Sequence, residues 1–132
     1  MLKSQEIRAI APEMDPLRMG MGWTVNDLEK PQVIVESTFG DSHPGSAHLL
    51  SLAEQAVKGI NDNGAKAARY FATDICDGMA QGHDGINYSL ASRDVICSMI
   101  EIHANATTFD SGVFGASCDK AVPAHLMAIG RI

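Results

Sequence analysis

Two short stretches set a cysteine directly before an acid: "ICDG", with Cys76 and Asp77, and "SCDK", with Cys118, Asp119 and Lys120. A thiolate is a soft ligand, suited to iron–sulfur clusters or zinc, whereas a carboxylate is a hard one, suited to magnesium. Adjacent residues of the two kinds could hold a soft centre and a hard cation close together. One such pair would mean little, because a buried cysteine is most often a small core residue. Two pairs, each beside a glycine-rich segment or a predicted helix start, favour ligation by Cys76 and Cys118. Cys97 falls inside an amphipathic helical pattern and reads as core. Lysine is ordinarily a surface charge, so Lys120 gains interest only from its neighbours.

The histidines are His43, His48, His83, His103 and His125. None stands in an HExxH or C-x2-C spacing, so no recognisable zinc motif is present. His83, in "QGHDG", is the best placed of them for substrate contact, and Ser46, in "HPGS", is a second candidate. His103 reads as a helix residue, while His48 and His125 lie near helix starts with their roles open. The glycine-rich stretch lacks the GxGxxG and GxxxxGK[ST] patterns, so nucleotide binding has no motif behind it.

The elements that must position these residues alternate. "QVIVEST", residues 32 to 38, is a β-branched run that predicts a buried strand. Leu49, Leu52, Ala53, Ala56, Val57 and Ile60 recur at helical spacing, and Gly64 is placed to cap that helix. "AARYFATDI" predicts a second strand that runs into the first Cys-Asp pair. "GMAQGHDGINYSLAS" is rich in glycine and reads as a long functional loop. Ser92 is placed to cap a helix that turns Val95, Ile96, Met99, Ile100 and His103 inward. "DSGVFGAS" predicts a third strand running into the second pair, and Pro123 suits the first turn of a last helix. This β-α-β-α-β-α order implies a layered α/β/α domain with a largely parallel sheet. Residues 1–30 read as an N-terminal arm with one short helix over "KSQEIRAIA" and irregular chain after it; residues 31–132 read as the domain proper. In such sheets ligands gather beyond the carboxyl ends of the strands. Both Cys-Asp pairs and the "FGDSHPGS" loop are expected there, converging on one pocket. Cys118, near a helix N-terminus, is expected to favour the thiolate.

The totals narrow the classes. A chain of 132 residues suits a single core. A net charge of −6 argues against general nucleic-acid binding and against anionic membrane. "MLKSQEIRAIAPEMDP" has acids and a proline where a signal peptide needs an apolar core, and no apolar run approaches the length of a membrane span. Three cysteines in a chain this long do not make a disulfide scaffold, and reduced thiols in a cytoplasmic setting are expected. The last helix reaches Ile132 without a capping signal, so the chain reads as cut short.

Two motifs carry a family resemblance. "CDGMAQGHDGINYSLASRDVI" resembles the DG-x-x-x-G-H-x-G-M-x-Y-S-L-x-S-R signature of the dihydroxy-acid and sugar-acid dehydratases. "SCDKAVPAHLMA" resembles their N-C-D-K-x-x-P-G-M-x-M-A signature. The similarity runs from about residue 31 to the end and covers the N-terminal part of a much longer enzyme fold. It implies that Cys118 ligates an iron–sulfur cluster, 2Fe-2S or 4Fe-4S. It further implies that Asp77 and Asp119 ligate Mg2+ and that Lys120 becomes a carbamate on the same ion. One departure stands out. The family pattern T-P-C-N-x-H-L has a cluster cysteine where this chain, reading "HPGSAHL", has Gly45; Cys76 is expected to supply the replacement thiolate. "CDG" and "GMGW" are similar to the sugar-acid branch.

The implied reaction is β-elimination of water from a 2,3-dihydroxy acid, giving an enol that becomes a 2-keto acid. Magnesium would bind the carboxylate and 2-hydroxyl, and cluster iron would act on the departing 3-hydroxyl. No general base is evident. The expected partners are a small sugar acid or dihydroxy acid and the remainder of the enzyme or a second subunit, with a homo-oligomer when complete. Rival readings are a non-catalytic binding or assembly module that keeps the metal ligands, and a zinc protein using Cys76, Cys118 and histidines. The isolated chain is expected to be inactive and sticky, with Leu126, Met127, Ile129 and the Trp23 arm wanting cover.

Overall fold

The computed structural model describes all residues from Met1 to Ile132. Its centre is β1, Gln32–Ser37, whose six residues are all buried. Such burial on both faces is what a Val-Ile-Val run without strict alternation predicts for the middle strand of a parallel sheet. β2, Lys66–Phe71, and β3, Ser111–Gly115, flank it in the order β2-β1-β3, and both pairings are parallel.

The connections explain how the two faces are covered. Winding from β1 out to β2 and then back across to β3 reverses direction. With right-handed crossovers, that reversal puts successive connecting helices on opposite faces. After the short α4, Pro44–Ala47, helix α5, Leu49–Asp62, covers one face, where Ala53 packs on Val35 and Ala67. Helix α7, Tyr88–Ala106, and helix α8, Ala121–Ile129, cover the other. There Ile96, Cys97 and Ile100 meet Ala121, Ala124 and Ala128, and the small residues let the two helices approach closely. Cys97 has no exposed surface, as its core reading requires. The layered α/β/α arrangement with a parallel sheet is the one the sequence order implied.

Helix α5 ends as its sequence directs. Gly64 adopts φ +84°, the Gly64 amide donates to the Asn61 carbonyl, and the Ala65 amide donates to Ile60. This is a Schellman ending built on the glycine expected to cap it.

Several expectations need correction. The arm is not irregular beyond its first helix: α1, Lys3–Ile10, is followed by α2, Met14–Gly20, and α3, Val25–Leu28. Pro16 is tolerated in the first turn of α2, and Thr24 and Asp27 form a reciprocal capping box at α3. Nor does the arm want cover. Trp23 is only 7% exposed, lying beneath Arg18 and Lys66, and Ser4 is tied through its amide and hydroxyl to Asp110, which also accepts from the Gln32 amide.

The glycine-rich stretch is not a long loop either. It holds α6, Asp77–Ala80, and a 3-10 turn, Asp84–Asn87, and α7 starts at Tyr88. Its glycines do their work between these turns, with Gly82 at φ +80°. Ser92 therefore lies inside α7, its hydroxyl donating to the Ser89 carbonyl one turn back, and it caps nothing. Along the helix Ile96 and Ile100 are fully buried, but Val95 faces outward. Leu126 and Ile129 on α8 are exposed, as expected, whereas Met127 packs against the core between α7 and α8. No helix is long and apolar enough to cross a membrane.

Candidate metal centre

All three strands point their carboxyl ends at one place. The chain leaving β1 reaches His43, that leaving β2 reaches Asp74 and Cys76, and that leaving β3 reaches Cys118. Because β1 lies between the other two, these loops meet at the point where the winding reverses, the usual ligand crevice of an open α/β sheet. The three-loop convergence read from the sequence is present. One potential ligand atom from each of His43, Cys76 and Cys118 lies within 4.8 Å of the others.

Cys118 is held there at a cost. Its φ is +73°, in the left-handed region that residues with a Cβ rarely adopt, a strain of about 1–3 kcal/mol that gathers at functional sites. Its thiol differs from expectation. Burial pushes its pKa up, and the Asp74 charge and the neighbouring Cys76 add to that, against one opposing hydrogen bond from the Asp119 amide. The N-terminus of α8 does not prevail, because desolvation of a thiolate beside a carboxylate is the larger effect. A bound cation would reverse that balance, since a coordinated thiol is deprotonated outright.

His43 is anchored from behind. Its side chain is 3% exposed and its Nε2 lies 2.7 Å from Asp74 Oδ1, itself on a side chain 4% exposed. A carboxylate only accepts, so the proton sits on Nε2 and Nδ1 carries the free lone pair. That Nδ1 is buried and has no hydrogen-bond partner.

The residues expected to be hard ligands form a second group. Lys120 Nζ donates to Asp77 Oδ2 at 2.7 Å and to Asp119 Oδ2 at 2.5 Å. The three residues expected on magnesium are thus gathered by their own side chains. The hydrogen bond from Lys120 holds the Asp77 carboxyl below its ordinary range, and the two carboxylates hold the Lys120 ammonium above its own. Asp77 Oδ1 is buried without a partner, an oxygen that the ammonium leaves unused.

The remaining candidates fall on either side of this core. His83 lines a cleft of about 360 Å³ shared with His43, Asp74, Cys76 and Tyr88. Its ring is fixed, with Nδ1 accepting from the Gly85 amide and Nε2 facing the Met79 carbonyl. Ser46 has no exposed surface. Its hydroxyl donates to the Gly40 carbonyl and lies 3.1 Å from His43 Nε2, so it backs the imidazole instead of opening to the cleft. Sequence reasoning missed His43 and Asp74. The signal for His43 was local: a nitrogen ligand stands two residues before the glycine that occupies a cysteine's place. Asp74 carried none.

The residues present fit the implied groups. A Cβ built on Gly45 would lie 2.8 Å from Cys118 Sγ and 3.1 Å from His43 Nδ1, so position 45 aims directly into the soft ligands. Asp77, with its unpaired oxygen, and Asp119 offer the hard oxygens that magnesium takes.

Soft and hard donors at the switch point of a parallel sheet define an α/β domain with a candidate metal centre. A family model described as Dihydroxy-acid/6-phosphogluconate dehydratase N-terminal matches residues 30–132, and the chain belongs to that family. A dihydroxy-acid dehydratase of Methanosarcina barkeri is 41% identical over 124 residues, which is 92% of this chain and 22% of that protein. One of Desulfatibacillum aliphaticivorans is 40% identical over 134 residues, 99% of this chain and 24% of its own length. One of Pyrococcus abyssi is 40% identical over 112 residues, 85% and 20% respectively. The chain spans about a fifth of the length of these relatives.

Proposed function

We propose that these residues form part of the metal centre of a hydro-lyase that converts a 2,3-dihydroxy acid to a 2-keto acid. The observation that carries this reading is the meeting of Cys76 and Cys118 with Asp77, Asp119 and Lys120 beyond the strand ends. Cys118 and Cys76 would hold an iron–sulfur cluster, 2Fe-2S or 4Fe-4S. Asp77, Asp119 and a carbamylated Lys120 would hold Mg2+. When bound, these groups supply Lewis acids for the departing 3-hydroxyl and for the carboxylate end of the substrate. Carbamylation turns Lys120 from a cation that competes for Asp77 and Asp119 into an anionic oxygen donor that works with them. His83, on the cleft wall, would orient substrate, and Ser46 would steady His43 behind it.

The relatives' names favour a dihydroxy acid, and the "CDG" and "GMGW" segments widen the candidates to sugar acids. All three cysteines are free, which suits a reducing, cytoplasmic setting. Val122, Leu126 and Ile129, exposed along α8, offer a surface for the rest of the enzyme or a second subunit.

The test is an assay of the full-length protein, reconstituted anaerobically with iron, sulfide and magnesium. Branched-chain 2,3-dihydroxy acids and pentonates are offered, and 2-keto acid is measured. Turnover of at least one class is expected, with both iron and turnover lost in Cys118→Ser. An iron-loaded protein inert towards all of them would refute the proposal.

A further inference from the structure

We infer that His43 is a protein ligand of the iron–sulfur cluster, taking the place of a cysteine at position 45. The inference rests on the cluster reading above and assigns the ligand that reading lacks. Two thiolates fall short of the ligation clusters usually have, and Cys76 does not make up the difference by itself.

The geometry points to the imidazole. A Cβ on Gly45 would meet Cys118 Sγ at 2.8 Å, His43 Nδ1 at 3.1 Å and His43 Cε1 at 3.4 Å. The ring of His43 therefore occupies the space into which a side chain at 45 would reach, and it brings a donor atom to the same sulfur. The glycine and the histidine are complementary. Any larger residue at 45 would press on the ring.

The tautomer is also the right one for ligation. Nε2, protonated, donates to Asp74 Oδ1 at 2.7 Å, with Ser46 Oγ at 3.1 Å beside it. Carboxylate–histidine–metal relays have this form: the outer carboxylate fixes the ring and raises the basicity of the free nitrogen. Nδ1, the free nitrogen, is buried and unpartnered. A histidine kept only for structure would use both nitrogens within the fold, as His83 and His125 do. His43 uses one; the other meets the same Cβ position at Gly45 as Cys118 Sγ does, and a ring nitrogen of His43 lies within 4.8 Å of the Cys76 and Cys118 sulfurs.

Exchanging a thiolate for a neutral imidazole removes one negative charge from the ligand set. The cluster should therefore be reduced more easily than one bound by thiolates alone, as in centres where histidines replace cysteines.

The experiment uses the full-length protein labelled with 15N-histidine, loaded anaerobically with iron and sulfide, reduced, and studied by pulsed electron paramagnetic resonance. A strongly coupled histidine nitrogen is expected. His43→Ala should lose most of its iron. The double variant His43→Thr/Gly45→Cys, which restores the T-P-C of the family pattern and leaves Ser46 in place, should keep iron, lose the nitrogen coupling and show a lower reduction potential. An iron-loaded wild type without directly bound histidine nitrogen overturns the assignment and leaves the dehydratase reading standing. A colourless protein that takes zinc and no cluster overturns both.

Discussion

Lys120 donates to Asp77 across 2.7 Å, a contact between residues 43 apart in the chain that joins the two Cys-Asp pairs. The contact puts three prospective oxygen donors, two carboxylates and one lysine awaiting carbon dioxide, around a single point. As an ammonium, Lys120 neutralises those carboxylates; as a carbamate, it would need a cation to do the same. On the proposed reading, the modification and the magnesium would be two parts of one charge balance.

Lys120→Arg tests that balance. Arginine keeps the cation and can still pair with Asp77 and Asp119, so the fold should persist, but it cannot become an oxygen ligand. We expect turnover to fall about a thousandfold or more, in keeping with several kcal/mol of Lewis-acid assistance. Steady-state kinetics at saturating magnesium measures this. Near-normal turnover in the variant would show that Lys120 has no part in holding the ion.

The strands and the Cys-Asp pairs were legible because their signals are local. Val33, Ile34 and Val35 announce a buried strand by type alone, and Gly64 announces a helix end by its backbone freedom. The convergence of Cys76 and Cys118 followed from a parallel sheet, which the alternation of elements implied. The role proposed for His43 was not legible. It depends on the ring entering a space that Gly45 leaves open and on Asp74, 31 residues away, holding one nitrogen. The glycine-rich segment misled for a related reason: "GMAQGHDG" is made of short turns whose caps are side chains such as His83, and glycine content says nothing of those. The arm misled because part of the cover of Trp23 comes from cations, Arg18 and Lys66, which an apolar pattern does not announce.

The docking of that arm rests on Arg18. Its guanidinium lies 4.8 Å from the centre of the Trp23 ring and 4.7 Å from that of Phe109, and it donates to the Thr107 carbonyl at 2.9 Å. Burial pulls its pKa below the usual guanidinium value. Arg18→Ala removes both ring contacts and the hydrogen bond, and should cost about 1–3 kcal/mol. Urea denaturation followed by Trp23 fluorescence reads the loss, and the emission should shift to the red as the indole becomes wet. Unchanged stability and emission would mean that Arg18 has no part in holding the arm.

A buried ion pair crosses the interior on the face away from α5. His125 Nε2 lies 2.5 Å from Glu36 Oε2, with the side chains 4% and 0% exposed, and Nδ1 lies 2.7 Å from the Ala121 carbonyl. Both ring nitrogens thus donate, which requires an imidazolium. Burial alone would push the His125 pKa down, but the hydrogen bond and charge of Glu36 outweigh it, and the net shift is upward. A histidine whose folded pKa lies above its unfolded value contributes stability that is complete below the unfolded value, about 6.5, and fades as pH rises through the folded one. The dehydratase signature has methionine at this place, so His125→Met is a natural replacement for size. It leaves Glu36 buried without its partner, and the expected loss at pH 6 is about 3–5 kcal/mol. His125→Met/Glu36→Gln should recover part of that loss, because a neutral amide is less costly to bury than a lone carboxylate. Denaturation curves from pH 6 to pH 9 measure both effects. Wild type should lose stability across this range more steeply than the double variant. Equal slopes, or a wild type that gains stability relative to the double variant as pH rises, would mean that folding does not raise the His125 pKa and that the pair is only a hydrogen bond.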